Sequence, residues 1–248
     1  MIEAASGMGF VDLHDHLLYG LDDGCETPAE TLAAARLLVE LGWSDAAPSP
    51  HAVAELPSGD PDVCEARRAE VATLFASEGV SLELHSNAEN RLDEAFLARA
   101  EGPGRRGIGA SGRWALVELP FQTGVPALPD LVFRMKRHGV SPLFAHPERC
   151  LEFERPGRAA EVVRLGGALQ LNVGALAGVY GKPARKLAER LLGEGLYAVG
   201  ATDLHEPWSA RDWLEEALVQ VEKRAGAAGA RRLLDENPRR ILAGEDPQ

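Results

Sequence analysis

The sequence predicts an α/β fold, a barrel of seven parallel strands joined by helices. Short apolar runs of strand length alternate with segments of helical periodicity along nearly the whole chain, a pattern typical of parallel strands with helical crossovers. Histidines and carboxylates recur just beyond the apolar runs, where α/β barrels place their active sites. The length suits one domain over residues 1–248. A doubly wound open sheet shows the same alternation and stays an alternative.

The predicted strands are short and apolar, and the second has the weakest pattern. They cover residues 10–13, 44–48, 80–86, 114–119, 142–145, 168–171 and 196–201. Helices are predicted at residues 28–41, 61–76, 93–100, 128–138, 158–165, 183–192, 210–224 and 227–234. For the first helix, Thr27 is the expected N-cap and Gly42 the expected stop. Residues 101–112 are expected to form a flexible loop within the domain.

Composition and charge narrow the possible functions. The formal net charge of -12 disfavours general nucleic-acid binding, because an acidic surface repels phosphate backbones. The three cysteines, Cys25, Cys64 and Cys150, form no Cys-x-x-Cys pair, which argues against a disulfide framework or a thiolate zinc site. The sequence has no apolar stretch of about 18 residues and no secretory signal pattern, so we expect no membrane insertion and a cytoplasmic location.

Residues of metal-ligand type follow the predicted strands. They are His14, His16, Asp22, Asp23, His51, Glu89, Glu118, His146, Asp203 and His205. In His14-Asp15-His16 both imidazoles lie on one side of an extended chain, because strand side chains alternate. Asp203 and His205 repeat this spacing after the last strand. Imidazole and carboxylate ligands without sulfur suit Mn, Fe or Zn. The pattern therefore predicts a metal centre at the carboxyl ends of the strands.

Other chemical motifs are weak. None of the three cysteines is followed six residues later by the arginine that thiol-based tyrosine phosphatases require. Gly102, Gly104 and Gly107 spell Gly-x-Gly-x-x-Gly, but they lie after a helix and before a strand, the reverse of the dinucleotide-binding context. His85 lies inside a strand and His138 ends a helix, so both are interpreted as structural.

Eight segments resemble, in order and spacing, the successive motifs of a known family. They run from about Asp12 to Leu242 and read DLHDHLLYGLDDG, SPH, NAENRL, ALVELPF, FAHPERC, QLNVGALAGVYG, TDLHEP and ENPRRIL. They look like the motifs of the bacterial PHP-domain (polymerase and histidinol phosphatase) protein tyrosine phosphatases found with capsule and exopolysaccharide genes. The resemblance implies a PHP fold, a distorted seven-stranded (β/α)7 barrel related to the TIM barrel, and a trinuclear metal centre usually active with Mn.

The resemblance also implies nine metal ligands. One ion would be held by His14, His16, Glu89 and Asp203; Glu89 would bridge to a second ion with Glu118 and His146; a third would lie between Asp23, His51 and His205. Asp23 fits the family pattern better than Asp22, because it lies nine residues after His14. Two or three ions per chain are expected, Mn2+ first, with Fe or Zn as alternatives.

The chain departs from the family pattern beside these ligands. Ala52 follows His51 where a second histidine is usual, and Asp15 stands where serine is common. The segment TDLHE, residues 202–206, replaces Ser-Asp-Ala-His-Asn. No expected ligand is lost, but these neighbours line the site and therefore bear on substrate preference.

The activity implied by the resemblance is hydrolysis of phosphotyrosine in proteins by a metal-bound hydroxide. Arg149 is expected to bind the phosphate, with Arg211 as a second catalytic arginine. The expected partner is a tyrosine-phosphorylated protein, in particular a bacterial tyrosine kinase, with a role in exopolysaccharide regulation.

Three alternatives stay open. One is a PHP phosphatase for a small molecule such as histidinol phosphate or a nucleotide. Another is a regulatory PHP domain without activity, although such a domain should have lost ligands that this chain keeps. The third is an amidohydrolase barrel, which also begins with His-x-His but commonly has a modified lysine at the fourth strand, where this chain has Glu118.

Overall fold

In the computed structural model of the protein, residues 9–100 and 106–248 are described. Within these residues, eight parallel strands form two sheets, one of three strands and one of five. The strands are β1 Phe10–Asp12, β2 Trp43–Ala46, β3 Glu83–Leu84, β4 Glu89–Arg91, β5 Trp114–Glu118, β6 Ser141–Phe144, β7 Ala168–Asn172 and β8 Tyr197–Ala201. β1, β2 and β3 pair in that order, as do β4 to β8. An α/β fold with parallel sheets is thereby confirmed.

Helices of unequal length connect the strands. They are α1 Pro28–Glu40, α2 Pro61–Ser77, α3 Glu94–Ala100, α4 Leu128–Arg137, α5 Leu151–Glu154, α6 Arg158–Arg164, α7 Val173–Ala177, α8 Gly181–Gly193, α9 Ala210–Arg231 and α10 Asn237–Leu242. Short 3-10 helices at Pro57–Gly59 and Pro147–Arg149 and a π-helix at Arg232–Glu236 are also present. Among the described helices, none combines the length and the hydropathy that crossing a bilayer requires.

The first helix begins and ends at the predicted signals. Thr27 Oγ1 accepts a hydrogen bond from Glu30 N at 3.2 Å. Pro28 lies in the first turn, where a backbone N–H would have no partner within the helix, so the N–H that proline lacks costs no hydrogen bond. The chain then leaves the helix at Gly42, whose φ of +107° favours glycine. α1 therefore returns the chain from the carboxyl end of β1 to the start of β2.

Two apolar clusters lie on opposite faces of the sheets, because successive strand side chains point to opposite sides. The larger cluster includes Val117 and Leu171 and is covered by residues of α1, α4 and α8. The smaller contains alternate residues of the same strands and their neighbours, among them Leu13, Leu116 and Val199. The strands thus enclose an apolar core of their own, which supports the residues at their carboxyl ends.

The two sheets are joined at the carboxyl ends of their strands. Beyond β1 and β8, Asp203 N donates a hydrogen bond to His14 O at 2.7 Å. The chain after β2 meets the start of β4, where His51 and Glu89 form a parallel bridge. Both junctions consist of residues predicted as metal ligands. The backbone contacts that connect the sheets therefore also bring the expected ligands together.

The third predicted strand, residues 80–86, forms only in part, and a further strand that the sequence does not predict follows it, which gives eight strands where seven are predicted. Residues 80–86 contain only the two-residue β3, which pairs with β2, while β4 begins at Glu89 and pairs with β5. Asn87 lies between them, and its Nδ2 donates to Leu13 O at 2.8 Å and to Ala47 O at 3.3 Å. This side chain supplies hydrogen bonds that a continuous strand would otherwise make. A count of seven strands is therefore not confirmed.

Several helical boundaries also differ from the prediction. The sequence does not predict α5, α7 or α10, because helices of four to six residues show too few turns for a periodic pattern. α7 is fixed instead by a cap, since the Asn172 side chain accepts a hydrogen bond from Gly174 N at 3.0 Å. The two predicted terminal helices correspond to α9, which is broken at Gly226. Residues 101–105 of the predicted loop lie outside the described residues.

Asp12 and Thr202 connect β1 to the end of β8, and we predict that this contact stabilises the fold. Thr202 Oγ1 donates to Asp12 Oδ2 at 2.5 Å, and both residues are fully buried. Thr202→Val should lower the free energy of unfolding by about 1–3 kcal/mol, because a buried carboxyl oxygen loses its donor. Urea denaturation in the presence of a chelator measures this without a contribution from metal. Thr73→Val, at an exposed position of α2, is the matched control; equal losses in both variants would contradict the prediction.

Candidate metal centre

The structure brings all nine predicted ligands together at the carboxyl ends of the strands. Their ligand atoms fall into four overlapping groups, within each of which the atoms lie no more than 4.8 Å apart. The groups are His14, Glu89 and His146; His14, His16 and Asp203; His51, Glu89 and Glu118; and His16, Asp23, His51 and His205. Because the groups share residues, their ligand atoms form one continuous cluster.

Glu89, the first residue of β4, lies at the middle of this cluster. Its Oε1 is 3.0 Å from His146 Nε2, and its Oε2 is 2.9 Å from His51 Nδ1, 3.4 Å from His14 Nε2 and 3.7 Å from His16 Nε2. The carboxylate is 1% exposed. One buried carboxylate therefore faces four imidazoles: its Oε1 faces one of them and its Oε2 faces the other three.

Asp203 connects the centre to a second layer of side chains. Its Oδ1 lies 3.2 Å from His14 Nε2 and 3.5 Å from His16 Nε2. Its Oδ2 accepts hydrogen bonds from Asn172 Nδ2 at 2.8 Å and from Arg149 Nη1 at 3.1 Å. The outer oxygen is thus held in place while the inner oxygen faces the histidines.

The outer nitrogens of the two histidines after β1 are also held. His14 Nδ1 is 2.9 Å from Gln170 Oε1, and His16 Nδ1 is 2.8 Å from Asp22 Oδ2. These contacts leave both Nε2 atoms facing the cluster, where they are buried and make no hydrogen bond to any described residue. Buried imidazole nitrogens without hydrogen bonds, oriented by outer acceptors and facing carboxylates, fit a metal ion between them.

Two expected ligands adopt an unfavourable backbone conformation. His146 has a φ of 31° and Asp203 a φ of 55°, and they are the non-glycine residues with positive φ in the described part of the chain. Such conformations are uncommon for non-glycine residues, although histidine and aspartate adopt them more often than most, and they concentrate at functional sites. Here they turn the two side chains from the ends of β6 and β8 toward the cluster.

The group that contains Asp23 is the more open part of the centre. His51 Nε2 lies 3.2 Å and His205 Nε2 3.6 Å from Asp23 Oδ1. The Asp23 side chain is 67% exposed, whereas the rings of His16 and His205 stack at 4.0 Å. Solvent and a ligand therefore reach the centre from this side.

Histidines and carboxylates in the cluster shift each other's pKa in opposite directions. Burial raises the pKa of Glu89, but the His14 charge and hydrogen bonds from His146 and His51 outweigh it and hold the pKa well below its usual value. Burial lowers the pKa of His14, but the carboxylates of Glu89 and Asp203 raise it well above its usual value. The Glu89 and Asp203 carboxylates therefore stay anionic, and either protonated histidines or bound cations can balance their charge. The pKa of Glu118 is instead raised, by burial and by the neighbouring Glu89 charge.

Arg149 lies beside the cluster between two aromatic rings. Its Cζ is 4.5 Å from the centroid of Phe121 and 4.4 Å from that of Tyr180. The guanidinium is 26% exposed and reaches Asp203, as described above. Stacking of this kind stabilises the guanidinium and fixes the plane in which its N–H groups point.

The structure does not bring Arg211 to the cluster. Its guanidinium pairs with Glu40 and, at 3.3 Å, with Glu215 on the neighbouring turn of α9. The side chain is 45% exposed, on the surface formed by α1 and the start of α9. Of the two arginines predicted from the sequence, only Arg149 contacts a predicted ligand in the described structure.

A further group of metal-ligand type comprises Asp45, Glu83 and His85. Asp45 Oδ1 is 2.9 Å from His85 Nε2, and its Oδ2 is 3.0 Å from the Arg239 guanidinium. Burial raises the pKa of Asp45, but the hydrogen bond from His85 and the charge of Arg239 outweigh it and lower the pKa to about 2. Because the arginine already supplies the positive charge, we interpret this group as an ion-pair network.

Sequence reasoning missed the residues that orient the ligands. Gln170, Asn172 and Tyr180 belong to a segment quoted above only as a motif, QLNVGALAGVYG, and Phe121 to another, ALVELPF. Polar and aromatic side chains at the ends of apolar strands could have indicated that these residues belong to the site. Which ring nitrogen or carboxylate oxygen each of them contacts depends on tertiary packing, which the sequence does not show. Asp22 was considered as a ligand and instead contacts the outer nitrogen of His16.

The fold and this site define the class of the protein: a parallel α/β protein with an imidazole and carboxylate centre suited to several metal ions. The chain belongs to the capsular polysaccharide synthesis family CpsB/CapC, whose model matches residues 10–243.

Named relatives and a solved structure agree with this assignment. The chain is 27% identical over 221 residues to the tyrosine-protein phosphatase YwqE of Bacillus subtilis, covering 88% of this chain and 85% of YwqE. It is 23% identical to the tyrosine-protein phosphatase CpsB of Streptococcus pneumoniae, covering 94% and 98% of the two chains. A crystal structure from work on YwqE and CpsB, described as metal-dependent tyrosine phosphatases, superposes with a TM-score of 0.86 at 25% identity and 96% coverage of both chains.

Asp22 offers a test of ligand orientation. An asparagine at this position can donate to His16 Nδ1, which would place a proton on the Nε2 atom that faces the cluster. Asp22→Asn should therefore weaken Mn2+ binding about 10- to 100-fold, as measured by calorimetric titration of the metal-free protein. Asp130→Asn, at an exposed position of α4, should bind as the unaltered protein does. Unchanged affinity in Asp22→Asn would show that the contact does not orient a ligand.

Proposed function

We propose that the chain is a metal-dependent phosphotyrosine-protein phosphatase, a phosphoric monoester hydrolase. The observation that carries the proposal is the cluster of four overlapping groups centred on Glu89, in a chain that aligns over most of its length with tyrosine phosphatases. We also propose that the chain is one PHP domain over residues 1–248, a distorted seven-stranded barrel in which β3 and β4 together take one strand position. The division of this strand at Asn87 is the distortion.

The proposed metal loading is two or three divalent ions, with Mn2+ first and Fe or Zn as alternatives. His14, His16, Glu89 and Asp203 would hold one ion, and Glu89, Glu118 and His146 a second. Asp23, His51 and His205 would hold the third. When bound, such ions supply positive charge and lower the pKa of water to near neutrality. Mixed nitrogen and oxygen donors without sulfur support this choice of metals.

The residues of the chain itself would bind and orient the phosphate. Arg149 is fixed in plane by the Phe121 and Tyr180 rings, so its edge is available for two phosphate oxygens at little conformational cost. Arg149 Nη1 donates a hydrogen bond to Asp203 Oδ2 at 3.1 Å, so a phosphate bound by Arg149 would lie beside the cluster. A phenolate leaving group has a pKa of about 10, so departure needs less help from a general acid than that of an alkoxide.

The proposed partner is a tyrosine-phosphorylated protein, with a bacterial tyrosine kinase as the particular candidate. The family's association with capsular polysaccharide synthesis supports a role in regulating exopolysaccharide production. The centre is open on the Asp23 side, which suits a phosphorylated side chain that projects from a protein.

Chelation separates metal catalysis from thiol catalysis. All three cysteines are buried, and burial raises the pKa of the Cys25 thiol to about 12, so the thiol stays protonated at neutral pH. Chelator should abolish turnover of a phosphotyrosine peptide, and added Mn2+ should restore it. Thiol alkylation of the native protein should leave turnover intact, and so should replacing all three cysteines with serine. Inactivation by alkylation, with chelator harmless, would reverse this assignment.

A pair of variants separates metal binding from phosphate binding. Glu89→Ala should lower both metal content and kcat, because Glu89 faces four histidines. Arg149→Ala should keep its metal content and lose about 10- to 100-fold in kcat/KM, the effect of one charge-assisted contact. Metal analysis and peptide kinetics on the same preparations measure both quantities. Metal loss in Arg149→Ala would show that this arginine supports the ligands through Asp203 instead.

Arg211→Ala completes the comparison. Because its guanidinium is engaged by Glu40 and Glu215, we expect kcat/KM to change far less than in Arg149→Ala. A loss as large as that of Arg149→Ala would place Arg211 in the phosphate site.

A further inference from the structure

Phe121, which follows β5, contacts both parts of the proposed site. Its ring meets the His146 ring at a centroid distance of 5.5 Å and an angle of 63°, and the Arg149 guanidinium covers it at 4.5 Å. The residue is nevertheless 38% exposed. An apolar aromatic surface therefore borders a cluster of charged and polar side chains at the point where Arg149 is placed to meet phosphate.

The backbone around Phe121 is fixed by the segment that carries Arg149. Leu151 N donates to Phe121 O at 2.9 Å, and Val125 N donates to Glu152 Oε2 at 2.6 Å. Glu152 is fully buried and pairs with Arg158 at 2.6 Å. The loop after β5 is therefore held against the start of α5, so the exposed ring has a defined position.

The two rings that enclose Arg149 differ in what they offer a ligand. The Tyr180 hydroxyl is held by Asn172 Nδ2 at 2.8 Å and lies 3.4 Å from Asp203 Oδ2. Tyr180 thus belongs to the polar layer that positions Asp203. Phe121 has no hydroxyl to hold it, and its exposed surface is apolar. Of the two, Phe121 is the ring suited to an apolar part of a substrate.

We propose that Phe121 is a specificity-determining residue that contacts the aromatic ring of the leaving group. This inference rests on the proposed phosphatase function. A phosphate bound by Arg149 would have its leaving group near the Phe121 ring, because the guanidinium covers that ring at 4.5 Å and the ring also contacts His146 of the cluster. Aromatic rings pair favourably at centroid distances of about 4.5–7 Å in edge-to-face or offset arrangements. An alkyl ester has no ring for this contact.

The test compares two esters whose leaving groups have similar pKa values, phenyl phosphate and hexafluoroisopropyl phosphate, on the Mn-loaded protein. Phe121→Leu keeps an apolar side chain and removes the ring. Both esters should lose some kcat/KM, because Arg149 loses one of its two stacking rings, but the loss for phenyl phosphate should be about two- to twelvefold larger than that for the fluoroalkyl ester, the range expected for one aromatic pair. Phe133→Leu, at a 56% exposed position of α4, is the matched control and should leave both values unchanged.

A binding measurement checks the same contact without turnover. Calorimetric titration of the Mn-loaded Phe121→Leu protein should show a loss of affinity for benzylphosphonate that is about two- to twelvefold larger than its loss for butylphosphonate. Its metal content should match that of the unaltered protein.

Equal loss for both esters and both phosphonates, with metal retained, would overturn the inference, because Phe121 would then act only by orienting Arg149. Loss of metal in Phe121→Leu would overturn it as well, since the ring would be supporting His146. If the unaltered protein hydrolyses neither ester, the proposed phosphatase function fails. The phosphonate titrations then decide separately whether Phe121 recognises an aromatic ring.

Discussion

A carboxylate buried beneath four imidazoles is the constraint on which the structure depends. An ionised carboxylate away from water is stable only when positive charge lies beside it, and Glu89 is held in its anionic form by the histidines around it. These histidines in turn are held in place by the ends of β1 and β6 and by the chain after β2. Any arrangement of the strands that moved these three segments away from β4 would leave the Glu89 charge unpaired.

The fold meets this constraint through its backbone. Contacts between Asp203 and His14 and between His51 and Glu89 connect the two sheets and place ligands at the same time. Asp22, Gln170 and Asn172 then fix the side chains from outside. The strained conformations of His146 and Asp203 are tolerated because the surrounding contacts determine them. The same residues thus stabilise the fold and assemble the site. A metal ion that binds only the folded form would further increase the stability of the fold.

Much of this arrangement can be predicted from the sequence, because histidines and carboxylates recur after the apolar runs and the spacing of the motifs identifies the family. The parallel α/β fold and the grouping of nine residues follow from that pattern. The separation of β3 from β4 does not, since it depends on Asn87 reaching Leu13 and Ala47, far away in the chain. The position of Arg211 likewise depends on Glu40, 171 residues away, which no local pattern reveals. The aromatic enclosure of Arg149 joins three separate loops and could be seen only in three dimensions.

The central claim is that Glu89 lies between metal ions, and anomalous X-ray scattering from crystals grown with Mn2+ tests it most directly. Data collected on either side of the manganese absorption edge locate each ion independently of its ligands. The account predicts at least two peaks, one on each side of the Glu89 carboxylate and within coordination distance of it. A single peak remote from Glu89, or a peak at Asp45 and His85 with none beside Glu89, would contradict it.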